Sequence, residues 1–191
     1  PLAVDLDDDV AQAHTHHDLQ RLHALQGDHV SALRHATSAL KLYRFTNNPV
    51  AEAHALNAQG VQLTHLGHLE TARECCESAL ELHTTHDNAS GRLATLQTLG
   101  LIAQQAERYD DAVRHYSDAL ALSKELRNRF AEADITERLA AVFSCRGERD
   151  RMSSTLEAAR DLYTAQHRLA DAERVHGRLT GSSPELHPGT S

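Results

Sequence analysis

The sequence predicts an all-α protein, a solenoid of stacked antiparallel helix pairs, on three observations. The first is repetition at fixed spacing. Ala32, Ala72 and Ala112 stand 40 residues apart (72−32, 112−72), and Ala39, Ala79, Ala119 and Ala159 and Leu42, Leu82, Leu122 and Leu162 repeat the interval. Such self-similarity without insertion is the mark of a repeat array. The second is proline: Pro1, Pro184 and Pro188 lie near the ends, so only Pro49 interrupts the stretch between Leu2 and Ser183, and almost nothing there forbids helix. The third is the shortage of rings: aromatic residues make up 4% with no Trp, too few for a sandwich or barrel core.

Taken in order, the elements are an N-terminal tail over 1–8, four units over 9–48, 49–88, 89–128 and 129–168, a capping helix over 169–179, and a turn-rich, disordered tail over 180–191. Each unit reads as two helices. In the second unit the first helix is expected from about Val50 to Leu66, ending at Gly67, and the second from Leu69 to His86. Glycine suits the left-handed residue that closes a helix, and Gly27, Gly67 and Gly147 fall at one point of the repeat, with Glu107 in that place once. Asp28 and Asp110 stand where second helices begin and are expected to accept first-turn N–H groups. Thr46-Asn47-Asn48-Pro49 stops its helix abruptly, because proline disfavours α for its predecessor. Asp87-Asn88 and Arg127-Asn128 close the next two with residues that tolerate a left-handed backbone. Small alanines at helical spacing let paired helices approach closely, while Leu56, Leu63 and Leu66, and Leu96, Leu99 and Ile102, fill the space between pairs.

Leu96-x-x-Leu99-Gly100 followed by Ala112-x-x-x-Tyr116-x-x-Ala119, and Gly60 followed by Ala72-x-x-x-Cys76-x-x-Ala79, resemble the tetratricopeptide repeat (TPR). The resemblance covers about 9–179 and implies a right-handed superhelix. Two departures stand out: no closing proline, and a period of 40 residues against the usual ~34. This longer variant is similar to the C-terminal TPR region of actinobacterial transcriptional activators of the Streptomyces antibiotic regulatory protein type. That likeness implies a non-catalytic, cytoplasmic interaction and regulatory module within a larger polypeptide, whose DNA-binding domains lie elsewhere. The start at Pro1 and the single methionine, Met152, fit the same expectation.

Composition narrows the function. A net charge of −8 argues against direct nucleic-acid binding, which needs a basic footprint. No apolar run approaches the ~20 residues that span a bilayer. Cys75, Cys76 and Cys145 have no ligand-like spacing, and no catalytic triad or nucleotide loop emerges, so neither a metal, a cofactor nor an enzymatic activity is expected. The 15 histidines are the anomaly. Charging them all would move the balance from −8 to +7 (−8+15), crossing zero near pH ~6 at ordinary pKa values.

In such a superhelix the first helix of each pair lines the concave face. Helical spacing places there His14, His17 and Arg21; His54, Asn57, Val61 and Thr64; Gln97, Thr98, Leu101 and Gln104; and Glu137 and Arg138. The amides and hydroxyls of its middle offer donors and acceptors to an extended peptide backbone. The expected partner is a protein or peptide segment, including other domains of the same polypeptide. The alternatives are self-association as a homodimer, through the first unit or the capping helix, and peptide or metabolite sensing.

Overall fold

The computed structural model describes residues 2–180 and the side chains of 8–180. Among the described residues it holds nine α-helices and no strand. Contacts divide the chain into two compact units, Pro1–Arg108 and Tyr109–Ser191.

Unit 1 contains α1 (Leu2–Leu25), α2 (His29–Phe45), α3 (Pro49–His65), α4 (Leu69–Thr85) and α5 (Ala89–Gln105). Unit 2 contains α6 (Tyr109–Glu125), α7 (Arg129–Cys145), α8 (Arg149–Ala165) and α9 (Leu169–Thr180). Within each unit consecutive helices pack on one another, and α3 also touches α5. The pairing is α1 with α2, α3 with α4, and α7 with α8, as the repeats require.

The turns explain the regularity. A residue with positive φ recurs every 20 positions, at Gly27, Asn47, Gly67, Asp87, Glu107, Arg127, Gly147 and His167. Around each, the next residue's N–H reaches back six-to-one to the last turn of the helix, as in Asn48 N to Tyr43 O at 2.9 Å and Asn128 N to Ser123 O at 2.8 Å. This is the Schellman ending. The residue that makes that bond also starts the next helix. Asn48, Asn88 and Asn128 accept N–H bonds from Ala51, Gly91 and Ala131 at 3.0 to 3.1 Å, and Asp28 does so from Ser31. One residue therefore closes a helix and opens its successor, which leaves no slack in the turns.

Packing follows the small residues. Ala32, Ala72 and Ala112 are fully buried, as are Ala79, Ala119 and Ala159. A Cβ at Gly60 would collide with Cys76 Sγ, so the glycine sets how closely α3 approaches α4. Ala36, Cys76, Tyr116 and Leu156, one register position, are all buried.

Three local expectations are revised. Helix α1 begins at Leu2, so 2–8 extend the first helix instead of forming a tail. The stretch, Leu-Ala-Val-Asp-Leu-Asp-Asp, holds no Gly or Pro after Pro1 to break the helix. Asp110 lies within the first turn of α6, not ahead of it, and its carboxylate pairs with Arg146 at 2.5 Å. Helix α9 reaches Thr180, and 181–191 of the expected tail lie outside the described residues.

Candidate partner-binding site

Every first helix presents the same register positions, and the residues expected there are best followed unit by unit. In unit 1, His14 and Arg21 on α1 are exposed, and His17 is half-buried. The Tyr43 hydroxyl lies 3.2 Å from His14 Nδ1. On α3, His54 is exposed while Asn57 and Val61 are half-buried, and the Cys76 thiol points at Asn57 Oδ1, 3.7 Å away. On α5, Gln97, Leu101 and Gln104 are half-buried. Two expectations fail here. Thr64 is buried with its hydroxyl turned to Gly60 O at 2.6 Å, and Thr98 is buried with its hydroxyl on Ala94 O at 3.1 Å. Threonine bonds readily to the carbonyl one turn back, so neither offers a group to a partner.

Behind this face lies a contact that periodicity alone did not flag. Tyr43, His83 and Tyr163 occupy one register position on second helices, all buried, and each reaches a residue 29 positions earlier (43−14, 83−54, 163−134) on the first helix of its own pair. Tyr43 meets His14 and Tyr163 meets Asp134, while the His83 ring lies 4.7 Å from that of His54. Asn88 ties the middle pair together. Its Oδ1 takes the Gly91 N–H at 3.0 Å, leaving its amide nitrogen to donate to His83 Nδ1 at 3.1 Å and His54 Nε2 at 3.2 Å. A His83 ring that accepts at Nδ1 is neutral, and burial, with His54 alongside, pulls its pKa down to about 4. His54 is lowered by burial and by His17, and His17 chiefly by burial.

In unit 2 the face becomes a cleft of about 310 Å³ lined by Asp134, Glu137, Arg138 and Ala141 of α7, Tyr163 of α8, and Arg168, Arg174 and Arg178. Ligand pockets run from ~300 Å³ upward, so this one suits a side chain or two. Glu137 is its centre. Arg174 and Arg178 both hold Glu137 Oε1, the latter at 2.9 Å, and the Tyr163 hydroxyl donates to Oε2 at 2.8 Å. Burial opposes the charge, but those hydrogen bonds and cations outweigh it, and the Glu137 pKa falls below the usual carboxylate range. Arg168 pairs with Asp134 and Asp171, each at 2.8 Å, and its guanidinium sits 4.5 Å from the Tyr163 ring centroid. Arg138 is exposed and forms no ion pair among the described residues.

Of the residues expected at the site, the cleft gathers Glu137 and Arg138. It adds Arg174 and Arg178, which the repeat interval could have found (134+40, 138+40) but which fell on a helix read only as a cap. Among the described residues no group of three or more His, Cys, Asp or Glu side chains is placed to hold a metal ion. No described helix is long and apolar enough to cross a membrane.

The helix-pair repeat, its turns and its buried alanines define an all-α solenoid of the tetratricopeptide type. More particularly, residues 51–125 match the tetratricopeptide repeat family. No curated protein matches the chain. Among solved structures, a Rap protein complexed with competence and sporulation factor superposes with a TM-score of 0.78 at 13% identity, covering 94% of this chain and 52% of that one. Aspartyl phosphate phosphatase F from Bacillus subtilis gives 0.81 at 13% identity, over 92% of this chain and 47% of the other. TPR-like repeats of a putative kinesin light chain from Podosopora anserina give 0.67 at 13%, over 92% and 97%. The chain thus spans about half the length of the first two of these proteins. At such identities the likeness is one of fold.

Proposed function

We propose that this chain is a non-catalytic protein-interaction module that binds a partner segment on the faces of its first helices. The observation that carries the reading is the unit 2 cleft, formed by equivalent register positions of α7 and α9 and furnished with guanidinium and carboxylate groups. Solenoids of this type recognise partners on such faces, and a neighbour of like fold is a Rap protein in complex with competence and sporulation factor. No phosphatase step is carried over from the neighbour that bears that name. The finer reading places the module in the cytoplasm, as the TPR segment of a larger bacterial transcriptional regulator, where the partner is another protein or a further domain of the same polypeptide.

A second reading is self-association, and α1 supports it. Leu22 is 50% exposed, whereas Gln62, Ile102 and Val142, its register equivalents, are at most 1% exposed beneath a preceding helix. That uncovered leucine is a place where a second copy could pack.

Selecting a random peptide-display library on the immobilised protein tests the main reading. Retained peptides should lose binding to the Asn57→Ala/Gln97→Ala variant or to Arg138→Ala, with mass in size exclusion unchanged. Selection that yields only peptides indifferent to these substitutions removes the reading, and a concentration-dependent mass favours the second.

A further inference from the structure

Resting on the interaction reading above, the geometry points to a more specific occupant: we propose that the unit 2 cleft binds an acidic peptide segment, taking a partner carboxylate between Arg138 and Arg178 beside Glu137. The cleft is already built around a carboxylate. Two guanidinium groups and a phenol hydroxyl converge on Glu137, which comes from the floor of the cleft itself. Planar guanidinium forks match carboxylates in geometry as well as charge.

Charge balance leaves room for one more anion. Four arginines line or border the cleft (Arg138, Arg168, Arg174 and Arg178), against three carboxylates that pair with them, Asp134, Glu137 and Asp171. The local surplus is +1 (4−3), within a chain whose net charge is −8. The surplus is not spread evenly. Arg168 and Arg174 are each engaged by two carboxylates, Arg178 makes one bond with one of its nitrogens, and Arg138 makes no ion pair among the described residues. Arg138 and Arg178 are also register equivalents (178−138=40), exposed on first helices and both lining the cleft. Arg138 also lies beside the Tyr116 hydroxyl, but neither it nor Arg178 is saturated by carboxylates, and both line the cleft that an incoming acidic residue would enter.

Glu137 makes the site a competitive one. Its carboxylate holds Arg178, and the partner's carboxylate must share or take over that guanidinium. Neutralising Glu137 should therefore strengthen binding, the opposite of what removing a contact residue does.

Fluorescence anisotropy of labelled Gly-Glu-Asp-Glu-Asp-Gly, with Gly-Gln-Asn-Gln-Asn-Gly as the uncharged control, tests this on the full chain. The acidic peptide should bind, weaken with added salt, and exceed the control. Arg138→Ala and Arg178→Ala should each weaken it by about tenfold, and Glu137→Gln should tighten it by about threefold or more. Circular dichroism melts of each variant check the fold. Arg138→Ala touches no internal ion pair, so it remains informative if Glu137→Gln does not fold. Equal binding of the two peptides, binding indifferent to Arg138→Ala, or displacement of the acidic peptide by millimolar inorganic phosphate as by peptide carboxylate would overturn the proposal. If display-selected neutral peptides bind through Arg138 and the acidic peptide does not, the interaction reading stands and this inference falls. If neither kind binds, both fall.

Discussion

His83 shows how one residue sets the terms for its neighbours. It takes the position that Tyr43 and Tyr163 hold in other pairs, yet it is fully buried, with its Nε2 lacking a hydrogen-bond partner. The ring fits because position 91 is glycine, where an added Cβ would run into three atoms of the imidazole, Cε1, Nδ1 and Nε2. Gly91→Ala should therefore destabilise by about 1–3 kcal/mol, the usual cost of overpacking, even though alanine is the better helix former by ~1 kcal/mol. Urea unfolding checks the sign. A more stable variant would mean that the ring moves aside freely. None of this was legible in the sequence, which marks position 83 only as one more histidine. Its burial depends on the coincidence of Gly91, Asn88 and His54 around it.

At the scale of the element, the turn was largely legible and its conformation only partly. Gly27, Gly67 and Gly147 announced one left-handed position per repeat, and Asn47 and Asp87 are residue types that tolerate it. His167, at 59°, shares that tolerance, but Glu107 and Arg127 have no such preference and still hold φ of 57° and 53°. The Schellman bonds impose that geometry from both flanks, overriding local preference. For a residue with a Cβ this costs roughly 1 kcal/mol or more. Arg127→Gly should then stabilise the protein by up to about 1 kcal/mol, net of glycine's greater entropy when unfolded, read as a rise in thermal midpoint. The Arg127 side chain is exposed and forms no ion pair among the described residues, so little else is lost. An unchanged or lower midpoint would place the strain elsewhere. Helix bounds, by contrast, fell within a residue of expectation for α3 and α4, the pair whose limits the turn residues marked in the sequence. The start of α1, with no repeat before it to copy, was misjudged, and the start of α6 lies one residue ahead of the Asp110 expected to cap it.

On the scale of the whole molecule, the histidine excess acquires a direction. His17, His35, His54, His65 and His83 all titrate below the ordinary value, burial being the first cause in each. Fewer are charged at a given pH than free imidazoles would be, so the crossing to zero net charge lies lower than the sequence alone indicates. All five belong to unit 1. Because their folded pKa values are depressed, the native state favours the neutral rings. Their stabilisation is complete above the ordinary histidine value of ~6.5 and is lost as the pH falls from there toward the folded values. For His83, with a folded value of about 4, this loss is on the order of 3 kcal/mol. Glu137 and Asp171 in unit 2 are lowered as carboxylates, so their contribution persists until the pH drops below the ordinary carboxylate range. Amide protection factors, corrected for the slower intrinsic exchange in acid, should therefore fall in α3 to α5 at pH 5 relative to pH 7, while those of α7 to α9 hold. Uniform change, or loosening of unit 2 first, would contradict the assignment.

The first-helix face is the surface from which the functional reading is built, and it was legible by period but not by exposure. Helical spacing located Asn57, Gln97, Glu137 and Arg138, yet it could not say that Thr64 and Thr98 turn their hydroxyls inward, or that α9 completes the cleft. Hydrogen–deuterium exchange with a display-selected peptide bound is the most direct measurement. The account predicts new protection on α7 and α9, around Glu137–Ala141 and Arg174–Arg178, with the outer surface of α8 unchanged. Protection confined to the second helices, or none at all, would contradict it.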